Sequence, residues 1–183
     1  MPCELIIGGA RSGKSRHAEQ RAAASGLPVR VIVTAEALDE EMSARIARHQ
    51  ADRPAGWGVV EAPRGLAAAL AAEAAEGRCV VVDCLTLWLA NLLDGADALP
   101  PGGGGELLPA LARERAALLA LIPRLPGEVI FVANEVGFGL VPETALGRLF
   151  RDEAGRLNQA VAALCERVTL VAAGLPLTLK GRG

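Results

Sequence analysis

Aromatic side chains are scarce in this chain of 183 residues: no Tyr, two Trp and three Phe. Few rings are therefore available to stack on a flat ligand. Histidine is as rare, with only His17 and His49. The four cysteines, Cys3, Cys79, Cys84 and Cys165, are scattered, and no pair has the C-x-x-C spacing of a zinc site or redox dithiol. They read as small packed hydrophobes rather than a disulfide framework. A surplus of one charge is missing too. Nineteen basic and 21 acidic residues leave a formal charge of −2, which gives no field to attract nucleic acid or an acidic membrane. Apolar runs such as "CVVVDCLTLWLANLL" are broken by charge or too short to span a bilayer, and the N-terminus has no export pattern. A cytoplasmic protein without nucleic-acid partners or a membrane span is the expectation.

What is abundant is apolar sequence, 51% of residues, arranged in alternating short and long segments. "CELII", "VRVIVT", "CVVVD", "EVIFVAN" and "RVTLVAA" are β-branched runs bounded by Gly, Pro or charge, as suits strands buried on both faces. Between them the periodicity predicts helices over 14–24, 40–49, 65–76, 85–93, 106–121 and 144–165. The last carries Leu146, Phe150, Leu157, Val161 and Leu164 on one stripe. The tail "GLPLTLKG" reads as a short final strand, and "DGADALPPGGGGE", 94–106, as a mobile surface loop. This order predicts one α/β domain over 1–183 with a mainly parallel sheet.

The first strand leads into "GGARSGKS", in which Gly8, Gly13, Lys14 and Ser15 satisfy the G-x-x-x-x-G-K-[ST] pattern of a phosphate loop. Glycines at 8, 9 and 13 let the backbone close around an anion with its N–H groups inward, and the following helix adds its dipole. Lys14 would neutralise β/γ oxygens and Ser15 would ligate Mg²⁺. The chain has only two lysines, Lys14 and Lys180, and one stands where the motif demands it. The expected fold is of the P-loop NTPase type, RecA-like, although the loop by itself establishes nucleotide binding and little more. A second metal-side carboxylate is expected at the end of a neighbouring strand, where Asp83 stands; the alternative is that Asp83 caps the next helix. "VANEVGFG" lacks the Lys of a guanine-reading N-K-x-D, which argues against a GTPase switch. Asn134 and Glu135 end that strand on the ligand edge and are candidates to face substrate or metal.

Three blocks in order, "GGARSGKSRHAE", "VTAEALDEEMSARIARHQADRP" and "NEVGFGLVPETALGRLFRDEAGRLNQ", resemble the bifunctional adenosylcobinamide kinase / adenosylcobinamide-phosphate guanylyltransferase family of cobalamin assembly. The likeness runs from Leu5 to about Lys180 and is weakest over 58–126. It implies two reactions: phosphorylation of adenosylcobinamide by ATP or GTP, then transfer of GMP from GTP, through a histidine, to adenosylcobinamide phosphate. The GMP-carrying histidine maps onto His49. Its chemistry is suitable, since a neutral imidazole attacks an activated phosphorus and hands the group on. Without the resemblance, His49 reads as a structural residue beside Met42 and Ile46 on one helix face. Arg48 and Arg53 would offset phosphate charge, and Asp52 would orient the ring or a guanine. His17 projects away from the phosphates and reads as packed or solvent-facing.

The resemblance further implies nucleotide contacts from Gly8, Gly9, Ala10, Arg11, Ser12, Gly13, Lys14 and Ser15. It adds Val33, Thr34 and Ala35; Gln50, Ala51, Asp52 and Arg53; and Glu61 and Asp83. It also implies a homotrimer. Arg148 and Arg151 are candidate phosphate ligands, although Arg148 with Asp152 also reads as an i,i+4 pair. Two other functions stay open: a small-molecule kinase without the transferase step, and a nucleotide-sensing binding module.

Overall fold

A computed structural model describes residues 3–36, 40, 54, 56–93 and 107–181. Seven described strands form one sheet: β1 (Cys3–Gly8), β2 (Val29–Val33), β3 (Gly58–Glu61), β4 (Cys79–Asp83), β5 (Glu128–Asn134), β6 (Arg167–Ala172) and β7 (Leu175–Lys180). Their order is β3-β2-β4-β5-β1-β6-β7, parallel throughout except for β7, which returns antiparallel to β6. The described helices are α1 (Lys14–Ala24), α2 (Leu66–Glu73), α3 (Leu85–Leu93), α4 (Leu107–Leu121) and α5 (Ala145–Leu164). None of them is long and apolar enough to cross a membrane.

The unbroken apolar runs of the strands follow from burial on both faces. On one face Ile6, Val31, Val81, Ile130 and Val132 pack against Ala18 and Ala22 of α1. On the other, Leu5, Ile32, Val80, Val82 and Phe131 pack beneath Leu70 of α2, Trp88 of α3, Leu118 of α4 and Leu157 of α5. Adjacent residues such as Leu5 and Ile6 thus serve opposite layers, as the pleat requires. Removing the fully buried Phe131 ring would cost about 3–5 kcal/mol. Two ionic clusters join elements. Glu4, buried in β1, accepts from Arg21 of α1 at 3.0 Å and from Arg167 and Thr169 of β6 at 3.3 and 2.9 Å. Glu153, buried on α5, accepts from Arg115 of α4 and from Arg156, both at 2.6 Å.

Several elements differ from the sequence expectation. The edge strand β3 is not foreseen, because only Val59 and Val60 separate Gly58 from Glu61 and so short a run shows no periodicity. Helix α2 ends at Glu73 rather than 76. Leu164, assigned to the buried stripe of α5, is 39% exposed at the helix end. Arg148 does not pair with Asp152. Its guanidinium turns back to donate to the carbonyls of Pro142 and Glu143, at 3.0 and 2.6 Å, while Asp152 lies near Arg151. Cys3 and Cys165 are not separate hydrophobes but a disulfide pair, with Cα atoms 4.7 Å apart. A separation of 162 residues hides their proximity, which arises because the Glu166 N–H donates to the Cys3 carbonyl at 3.0 Å. Cys79 and Cys84 are free and buried as expected. The expected helix over 40–49 lies outside the described residues apart from Glu40, and so does the loop over 94–106.

Candidate active site

The site is built where β1 ends. Gly8 is the last residue of that strand, and a Cβ there would stand 2.5 Å from both the Ser12 hydroxyl and the Val171 carbonyl, so no side chain fits. Gly9, Ala10 and Arg11 form an exposed crown, with Arg11 at φ 55. Gly13, at φ 96, turns the chain into α1, a conformation that only glycine adopts without strain. The Gly9 position differs, since no protein atom lies within 4 Å of a Cβ there; internal packing does not explain that glycine.

Lys14 opens α1 and is buried, and its ammonium donates to the Gly9 carbonyl at 3.2 Å, arching the side chain over the loop. The Ser12 hydroxyl is buried and finds no hydrogen-bond partner among the described residues. A buried donor left unpaired costs about 1–3 kcal/mol. That orphan donor, within the loop that leads into α1, fits an anion site. Ser15 and Asp83 line one small cavity together with Glu19 and Trp57. They converge although β5 separates β4 from β1, a lateral gap of about 10 Å, because α1, which carries Ser15, packs across β5 and β4.

The model of the family "Cobinamide kinase / cobinamide phosphate guanyltransferase" matches residues 4–179. The chain belongs to this family. It is 54% identical over 178 residues to the bifunctional adenosylcobalamin biosynthesis protein CobP of Pseudomonas aeruginosa, covering 97% of each chain. It is 43% identical over 183 residues to the bifunctional protein CobU of Salmonella typhimurium, covering 96% of this chain and 98% of that one. Among solved structures, an ATPase of a bacterial type III secretion system matches with a TM-score of 0.53 at 12% identity, over 92% of this chain and 51% of that one. That likeness shows the fold alone. The chain is a bifunctional cobinamide kinase and cobinamide-phosphate guanylyltransferase of cobalamin biosynthesis, acting on cobinamide substrates with nucleotides.

The remaining expected residues of this cobinamide kinase lie along the same carboxyl edge. Val33 pairs with Asp83 on one side and with Glu61 on the other. Thr34, fully buried, spends its polar groups internally. Its hydroxyl donates to the Cys84 carbonyl at 2.7 Å and accepts from the Cys84 N–H at 2.9 Å; its own N–H donates to Asp83 O, and its carbonyl accepts from Asn91. It shapes the edge, with Ala35 following. Glu61 is exposed on β3, four strand steps or about 19 Å from Gly8, so it and the loop do not touch the same phosphate. His49, Gln50, Ala51, Asp52 and Arg53 lie outside the described residues.

Asn134, a candidate from the sequence, stands at the same edge, and Gly174 and Asn91 join it without any local sequence signal. Asn134 pairs with Gly8, donates its N–H to the Thr86 hydroxyl at 2.7 Å, and holds a buried Oδ1 without a partner. Gly174, in the β6–β7 turn, donates its N–H to the Ser12 carbonyl at 2.8 Å and braces the loop from behind. Asn91 ties Thr34 O to Pro63 O, at 2.7 and 2.9 Å. His17 is half-buried beside Glu4 and Arg21. Loss of hydration lowers its pKa, Glu4 opposes that, and Arg21 adds to it.

Proposed function

We propose that the two reactions divide along the sheet edge: phosphoryl transfer at the loop, GMP transfer through His49. In the first, the acceptor's terminal hydroxyl oxygen bonds to the γ-phosphorus of ATP or GTP as the bond to the β-phosphate oxygen breaks; the nucleoside diphosphate leaves and the hydroxyl proton is released to water. Lys14 and the N–H groups of residues 9–15 bind the charge that shifts onto the β/γ oxygens. Among the described residues no three His, Cys, Asp or Glu side chains converge as a metal cage. Ser15 and Asp83 fit Mg²⁺ in the way a P-loop does, with two protein ligands and the rest from phosphate and water. When bound, that ion would neutralise phosphate charge. In the second reaction the His49 imidazole nitrogen bonds to the α-phosphorus of GTP and pyrophosphate leaves. An oxygen of cobinamide phosphate then displaces the imidazole, giving cobinamide-GDP. Residues 50–53 and Glu61 would hold the nucleotide there, and the separation of Glu61 from Gly8 supports two distinct phosphate positions.

The observation that carries the kinase half is the shared cavity of Ser15 and Asp83 beside buried Lys14. The experiment is incubation with GTP labelled at the α-phosphate. Acid-labile protein label that His49→Ala loses and Lys14-independent controls keep supports the transferase reading; undiminished label on His49→Ala defeats it. We also propose a cytoplasmic homotrimer. The open edge strand β7 exposes Leu175, Leu177 and Leu179 in one stripe, an apolar surface suited to a subunit contact. Sedimentation of Leu177→Lys should show loss of the trimer.

A further inference from the structure

We infer that the loop joining β5 to α5, with Phe138 and Leu140 at its tip, receives the corrin macrocycle of the acceptor. Phe138 is 87% exposed, Leu140 96% and Val141 64%. Such side chains contribute almost nothing to folding, and three in four residues make a compact apolar patch. The loop is nevertheless fastened at its base. The Glu135 carboxylate accepts from the Gly137 N–H at 2.6 Å. Arg148 grips the carbonyls of Pro142 and Glu143, and the Thr144 hydroxyl caps α5 by accepting from the Gly147 N–H at 3.0 Å. Polar contacts fix the two ends while the hydrophobic tip is presented outward, a division expected of a binding loop rather than a frayed one.

Location selects the ligand. Asn134 pairs with Gly8, and the Glu135 N–H donates to the Gly8 carbonyl at 2.9 Å, so the loop departs directly beside the phosphate loop. A cobinamide carries its reactive hydroxyl on a flexible arm, and the arm alone offers little to bind. The bulk of its surface is a macrocycle with a methyl-rich rim, for which an apolar platform next to the phosphate loop is the complementary surface. The stripe on β7 is less suitable, because it runs down the sheet away from the carboxyl edge.

The test is the kinase reaction of the full-length enzyme with cobinamide and ATP, comparing wild type with the double variant Phe138→Ala, Leu140→Ala. The KM for cobinamide should rise on the order of tenfold or more. The turnover at saturating cobinamide and the KM for ATP should stay within about twofold, the signature of lost acceptor binding. Both side chains are exposed, so the melting temperature should hold. An unchanged KM for cobinamide overturns the proposal. A drop in assembled mass on sedimentation does so as well, since the patch would then be a subunit contact.

Discussion

Gly13 and Gly174 meet backbone to backbone: a Cβ on Gly13 would lie 3.2 Å from the Gly174 Cα. Both have positive φ, 96 and 78, yet the two positions are not equivalent, because a Cβ on Gly174 meets nothing within 4 Å. Gly13→Ala should therefore cost about 2–3 kcal/mol in urea unfolding, combining strain with the contact, and should abolish ATP binding. Gly174→Ala should cost only about 1 kcal/mol and leave ATP affinity nearly intact. Equal losses in the two variants would contradict this account of the loop.

Lys14 is the only lysine of the described loop and is almost fully buried. Its replacement by Ala should lower kinase kcat/KM on the order of 10²–10³-fold. Lys14→Arg should not rescue it, because a broad planar guanidinium does not replace a compact ammonium at a buried position. A coupled assay for nucleoside diphosphate measures both, and full activity in either variant would remove Lys14 from the mechanism.

Thr34 closes two hydrogen bonds with Cys84 immediately after Asp83. Thr34→Val keeps the volume but strands the buried Cys84 N–H, while the Cys84 carbonyl keeps the Trp88 N–H at 3.2 Å. A loss of roughly 1–3 kcal/mol is expected. Thermal unfolding measures the loss, and Thr34→Ser should recover much of it.

Acidification should destabilise the fold partly through His17. Its folded-state pKa is lowered, first by desolvation, so the unfolded chain takes up the proton more readily. Stability is then full above the ordinary imidazole range and falls as pH drops through it toward the lowered value. Melting temperatures between about pH 7.5 and about pH 5.5 should decline less in His17→Gln than in wild type. A parallel decline in the two proteins would show that His17 titrates normally.

Much of this arrangement was legible in the sequence for physical reasons. Strands β4 and β5 have the expected bounds because their apolar runs end at Asp83 and Asn134, where burial ends, and α1 does because it lies between the turns at Gly13 and Gly26. The phosphate loop was legible because its glycines and lysine serve a local geometry. Gly174, Asn91 and Thr86 were not, since each acts on a segment tens of residues away and has no local pattern. Arg148 misled for a related reason: helical spacing offers Asp152, but two carbonyls of the preceding turn are nearer. Strand β3 lacks the length to be periodic, and the Cys3–Cys165 pairing depends on both ends of the fold being assembled.

That assembly carries a consequence for biogenesis. Strand β1 is synthesised well before its two neighbours in the sheet, β5 and β6, and before the turn at Gly174 that buttresses the loop following it. A nascent chain on the ribosome thus exposes its Gly-rich anion loop long before the walls of that loop exist. Competence to hold a nucleotide should arrive abruptly, once residues near 174 have left the exit tunnel, rather than accrue as the polypeptide lengthens.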